Sequence, residues 1–138
     1  SKVIWKYAAN AHHDFHVTSE GKIIVLTHEW VQGHLPGLEK LNYPIMADFI
    51  VTLSANGEEE SKISVLEAFS KSSFKEILFQ EPFNYLKWDA THANSIEVLD
   101  PDMASAFPAF KAGQLLLSLR NIDAIAVLDP TIPEIVWA

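Results

Sequence analysis

The chain repeats one four-part pattern in the same order, and this repeat restricts its possible folds more than any other feature. Each copy has a His-led, a Gly-led, an Asp-led and a closing segment, and all are short and strand-like. The segments lie at 13–17, 21–26, 48–53, 61–66, 92–96, 113–117, 123–128 and 134–137. Two such copies predict two units of four short antiparallel strands.

Four short antiparallel strands per repeat are typical of a β-propeller blade. A β-sandwich also uses short strands at regular spacing, but the ordered repeat and its closing Trp137 favour blades. We therefore predict an all-β fold of propeller blades with one short helix. The predicted parts are a closing strand of one blade at 1–6, a blade at 12–66, an inter-blade helix and loop at 67–87, and a blade at 88–138.

Insertions explain why the repeat exceeds the usual ~40–50 residues of a propeller motif. Segments 28–46 and 100–112 contain proline and predict loops. Apolar residues at helical spacing within 67–80 predict an amphipathic helix, and Ser73 with Glu76 fits a capping box at its start. Asn56-Gly57 predicts a hairpin turn.

A propeller closes with ~4–8 blades, so two blades cannot complete the ring. We expect this chain to be part of a longer protein, completed by further blades or by self-association through exposed strand edges.

Composition excludes several classes of function. The net charge of −8 disfavours nucleic acid and anionic membrane surfaces as partners. No apolar run approaches the ~18 residues that a membrane span needs. Cysteine is absent, which rules out disulfides, thiolate metal ligands and thiol catalysis in these residues.

Polar side chains are expected to converge where the two blades meet. His13 and His92 begin first strands, and Arg120 ends a second strand, so antiparallel topology brings them to one end of the sheets together with Asn94. Ser118 and Asn121 flank that arginine. Arginine offers a fork of donors, and imidazoles can donate or accept, so the set suits an anionic oxyester better than a sugar or a metal.

Structural alternatives exist for these residues. Arg120 could pair with Asp89 or Asp123, and His92 and Asn94 could cap backbone groups. His12, Asp14 and His16 share one strand face, but such residues rarely converge on one ion, so we predict no metal site. We interpret His28 and His34 as surface groups. Trp88, just before His92, could stack on an aromatic ring.

Segment 88–96 and the Ser-Leu-Arg-Asn run at 118–121 resemble the arylsulfotransferase (aryl-sulfate sulfotransferase) family. The His-His-Asp-Phe run at 12–15 and the closing Ile-Val-Trp at 135–137 fit blades of that family. The resemblance extends over nearly the whole chain.

The resemblance implies a six-bladed periplasmic propeller that moves a sulfuryl group from a phenolic sulfate ester to a phenol. It implies a ping-pong route through a sulfated histidine that lies in a later blade, beyond this chain, so that the piece alone would be inactive. His92 and Arg120 would grip the sulfate oxygens, and His13 would be a further site histidine. The implied partners are small aryl sulfates and phenols, with no cofactor.

Two other functions stay open. The blades could form a non-catalytic binding or assembly module, because fold does not settle activity. A quinoprotein-type propeller would also have strands that close on tryptophan, although the sequence shows no acidic metal-site motif to support it.

Overall fold

The computed structural model describes residues 2–80 and 88–138 and contains two antiparallel sheets of four strands each. In chain order, the first sheet consists of β1 (Ala11–Val17), β2 (Ile23–Val31), β3 (Ile45–Leu53) and β4 (Glu59–Ser64). The second consists of β5 (Ala93–Val98), β6 (Leu115–Leu119), β7 (Ala124–Asp129) and β8 (Glu134–Trp137). Each sheet pairs its strands in sequence order, which confirms the predicted all-β fold of blade-like units.

The two sheets pack through a shared apolar core. Alternation along β2 places Ile24 and Leu26 on one face, and both belong to the same buried cluster as Leu115, Leu117 and Leu119 of β6. The Asp-led and Gly-led segments of the repeat therefore form the central strands, where apolar residues are buried on both sides.

The inter-blade helix begins earlier than predicted. Helix α1 spans Val65–Lys71, and its N-cap is Ser64, whose Oγ accepts from the Glu67 amide. The capping box predicted at Ser73 and Glu76 does not form, because the turn that follows is a short 3₁₀ segment, Lys75–Phe79, without a side-chain cap. Packing in the core determines where this helix begins, because Val65 and Phe69 are fully buried. Residues 81–87 of the predicted loop lie outside the described residues.

Two further predictions differ from the structure. Within the predicted loop 100–112, α2 (Pro101–Ala106) forms because Asp100 caps it and Pro101 occupies its first position. Residues 2–6, where a closing strand was predicted, form no strand. Trp5 instead donates its indole N–H to the Ala55 carbonyl.

The hairpin turn between β3 and β4 requires glycine for two separate reasons. Gly57 has φ +82°, and a Cβ there would lie 2.6 Å from the Trp5 ring. We predict that Gly57→Ala lowers the free energy of unfolding by about 2 kcal/mol, combining left-handed strain with displacement of the indole. Urea denaturation measures the change.

Gly113→Ala is the matched control, because Gly113 has φ +86° and no atom within 4 Å of the added Cβ. It is expected to cost only the backbone strain, about 1 kcal/mol. Equal losses in the two variants would show that the Trp5 contact contributes nothing.

Candidate functional site

The two histidines that begin the repeats occupy the same unusual backbone conformation. His13 has φ 56° and His92 has φ 49°, both in the left-handed region. This conformation costs an L-residue roughly 1–2 kcal/mol. In each first strand, β1 and β5, the pairing register also shifts beside the histidine. Bulges of this kind re-aim side chains and are frequent beside active sites.

The repeated backbone geometry brings the two imidazoles together across the blades. The Nε2 atoms of His13 and His92 are 2.9 Å apart, and their ring centroids are 4.8 Å apart. The convergence of these histidines therefore matches the topological prediction. Both Nε2 atoms lie at the edge of the sheets, where His13 is exposed and His92 is half-buried.

A buried carboxylate contacts the ring nitrogen of His92 that does not face His13. Asp89, which is 7% exposed, lies 2.5 Å through Oδ2 from Nδ1 of His92. Asn121, buried as well, donates its side-chain N–H to the Asp89 carbonyl. Asn121 also donates its backbone N–H to the Thr91 carbonyl, so it braces the 89–92 turn from the end of β6.

A second buried carboxylate ties the two blades together beneath the histidines. Asp48 of β3 is 2% exposed, and its Oδ2 accepts from the Thr91 hydroxyl and from the Ala93 amide at 2.8 Å. Its Oδ1 lies 3.1 Å from His12 Nε2. Burial opposes ionisation, but these contacts outweigh it and hold the pKa of Asp48 below its usual value.

Two more histidines complete a cluster of four. The His12 ring centroid lies 4.9 Å from that of His13 and 4.7 Å from that of His28. The interpretation of His28 as a loop surface group was wrong: β2 extends to Val31, and the ring is half-buried in the cluster. Partial desolvation, followed by the proximity of His12 and His92, lowers the pKa of His13.

Arg120 joins this cluster from the second blade. Its backbone N–H donates to the His92 carbonyl at 3.1 Å, and its charge contributes to lowering the pKa of His13. It is exposed and is the only arginine in the sequence. Within the described residues no carboxylate forms an ion pair with it, so the alternative pairing with Asp89 or Asp123 is not seen.

The other predicted site residues lie around this centre in different settings. Asn94 is exposed, two residues beyond His92 at the bulge of β5. Ser118 lines a separate shallow groove with Ser95. Trp88 and Trp30 are 40% and 51% exposed, and their ring centroids lie 5.5 Å apart. Trp88 therefore forms half of an aromatic pair directly beside Asp89.

The side chains of His12, Asp14 and His16 lie on one face of β1 but do not converge on one point. His12 contacts Asp48, Asp14 accepts from the Ile96 amide, and His16 contacts Glu97. Within residues 2–80 and 88–138, no group of three or more histidines and carboxylates is placed to hold a metal ion. In the same part of the chain, every helix is too short or too polar to cross a membrane.

Two blade-like sheets, with imidazoles and one guanidinium gathered where they meet, define an all-β protein of the propeller type. The family model for arylsulfotransferase (ASST) matches residues 3–138, and the chain belongs to that family. Neither a curated protein nor a solved structure matches the chain. Membership supports an arylsulfotransferase-like function in general terms, and hence a transferase.

Proposed function

We propose that this protein transfers a sulfuryl group from a phenolic sulfate ester to a phenol, and that His13, His92 and Arg120 bind the sulfuryl oxygens. The observation that carries the proposal is the 2.9 Å approach of the two Nε2 atoms, with Arg120 bound through its backbone to His92 and in no ion pair with a carboxylate of the described residues. Such donors match a tetrahedral oxyanion, which offers oxygens in several directions.

The main requirement of the proposed reaction is stabilisation of negative charge on the transferred group. Sulfuryl transfer resembles phosphoryl transfer, in which positioning and electrostatics supply most of the catalysis. Arg120 would stabilise negative charge on the transferred group, and the exposed His13 and His92 would donate to its oxygens. The chain's net charge of −8 does not oppose this local site, because Asp48 and Asp89 are buried behind the rings and already have partners.

The aromatic pair supplies a place for the phenyl ring. Trp88 precedes Asp89 in the chain, and Trp30 follows His28 by two residues on the same face of β2. Exposed indole faces beside the oxyanion groups suit an aryl ester. Asn94 would add an amide donor at the rim. The buried Asn121 would act on the substrate through the 89–92 turn that it braces, and Ser118 would act from its neighbouring groove.

A sulfated histidine in a later blade, outside this chain, is part of the proposal, as are a periplasmic location and phenolic partners. Covalent transfer divides the reaction into two easier steps. A histidine nitrogen would bond to sulfur as the S–O bond of the donor ester breaks and the phenolate leaves. The oxygen of the second phenol would then bond to sulfur as the N–S bond breaks, and the phenol proton would pass to the released histidine.

The test is a transfer assay on the intact protein, including the later blade that carries the histidine, with an aryl sulfate donor and a phenol acceptor. We predict ping-pong kinetics and a sulfated histidine that can be detected by mass spectrometry after donor alone is added. Binding of the aryl sulfate without any transfer would contradict the enzymatic proposal and favour a non-catalytic binding module.

A further inference from the structure

The number of protons on the His13–His92 pair limits how the pair can bind an anion. Asp89 is a buried carboxylate against Nδ1 of His92, so that nitrogen carries its proton and donates it to Oδ2. The 2.9 Å contact between the two Nε2 atoms then contains a single proton. In the neutral pair, His13 donates that proton and the His92 lone pair accepts it.

This resting arrangement cannot offer both rings to an oxyanion. Two N–H donors are needed for two sulfate oxygens, and the neutral pair has only one N–H between its facing nitrogens. The N–H···N bond must therefore open, and one proton must come from solvent. It adds to Nε2 of His92, which becomes an imidazolium, and both rings then donate to sulfate oxygens.

We propose that the His13–His92 pair takes up one proton from solvent when it binds a sulfate group, and that Asp89 is the positioning residue that stabilises the resulting charge on His92. This inference rests on the proposed function, because it concerns the same site. It goes further in making sulfate affinity depend on pH through a defined pair of rings.

The surroundings favour a neutral resting pair that is protonated only with an anion. Within residues 2–80 and 88–138, the titratable and charged groups that face the pair are His12 of β1, His28 of β2, Asp48 of β3, Asp89 and Arg120. Asp48 is already engaged with Thr91, Ala93 and His12. Without an anion, a cation on the exposed His13 would face Arg120 and other imidazoles. The lowered pKa of His13 agrees with this arrangement.

Calorimetric titration of inorganic sulfate into the full-length chain tests the proposal. At about pH 7.5, above the ordinary histidine pKa, heats measured in buffers of different ionisation enthalpy give the number of protons taken up. We predict a value near one. We also predict that the association constant falls about tenfold per pH unit above neutrality, as linkage requires for one proton.

Asp89→Asn removes the counter-charge and keeps the backbone carbonyl that binds Asn121. It is expected to weaken sulfate binding at about pH 7.5 by at least ~10-fold, with recovery at lower pH. Asp14→Asn is the matched control, because the Asp14 carboxylate accepts backbone amides from Phe15 and Ile96 but has no imidazole partner. It should leave the proton count unchanged.

The outcomes separate this inference from the proposed function. Sulfate binding by the unmodified chain with no proton uptake overturns the inference and leaves the anion site in place. An absence of sulfate binding at millimolar concentrations overturns both. The unmodified chain alone gives these results, so they stand even if Asp89→Asn fails to fold.

Discussion

Replacing Arg120 with alanine is expected to lower kcat/KM for aryl-sulfate transfer by about 10³-fold or more. Single oxyanion donors contribute roughly 10²–10³ in rate, and arginines on transferred phosphoryl groups contribute roughly 10³–10⁵. Because the guanidinium is exposed and forms no ion pair with a described carboxylate, its removal should leave the fold intact.

Steady-state kinetics with an aryl sulfate donor, together with urea denaturation, separates the two effects. Arg120→Lys should recover only part of the rate, because an ammonium keeps the charge but loses the fork of donors. Lys111→Ala serves as the control for losing one positive charge, since Lys111 is exposed in the turn before β6, which pairs with Leu99 at the end of β5 opposite to His92. Near-normal turnover by Arg120→Ala would refute the role assigned to this residue.

Asp48→Asn is expected to lower the free energy of unfolding by about 3 kcal/mol. One carboxylate oxygen accepts from both the Thr91 hydroxyl and the Ala93 amide, and the other lies beside His12. Asparagine keeps one acceptor oxygen but loses the carboxylate charge, and disrupting a buried polar network costs roughly 1–3 kcal/mol, or more when charge is involved. The same change should also disturb His92, which lies between Thr91 and Ala93.

Asp123→Asn is the matched control, because Asp123 heads the equivalent segment of the second copy yet is exposed. Its left-handed backbone, φ 48°, suits asparagine as well as aspartate. We expect a change of less than about 0.5 kcal/mol, typical of surface substitutions. Equal stability losses at Asp48 and Asp123 in urea denaturation would contradict the view that Asp48 fastens the blades together.

The sequence was sufficient to predict the two sheets and the convergence of His13 and His92 at one end of them. Strand order and alternation are local properties, so the repeat predicted which segments pair. Because His13, His92 and Arg120 stand at strand ends, topology alone was enough to bring them to one edge. The tie between Asp48 and the second blade was not predicted, since Asp48 and Asp123 look alike in the repeat and differ only in their tertiary surroundings.

Other differences between the predictions and the structure also come from tertiary surroundings. His28 was assigned to a loop because proline and glycine follow it, whereas pairing with β3 extends β2 as far as Val31. Ser64 rather than Ser73 caps the inter-blade helix because the core requires Val65 and Phe69. Histidine is several-fold enriched in the left-handed region, but only a few per cent of all non-glycine residues adopt it, so residue type alone did not predict these two conformations.

A crystal structure of the full-length chain with a bound aryl sulfate tests the central claim most directly. We predict sulfate oxygens within about 3 Å of the Nε2 atoms of His13 and His92 and of the Arg120 guanidinium. The 2.9 Å contact between the two rings would then be open. An aryl sulfate bound elsewhere, with that contact intact, would contradict the account.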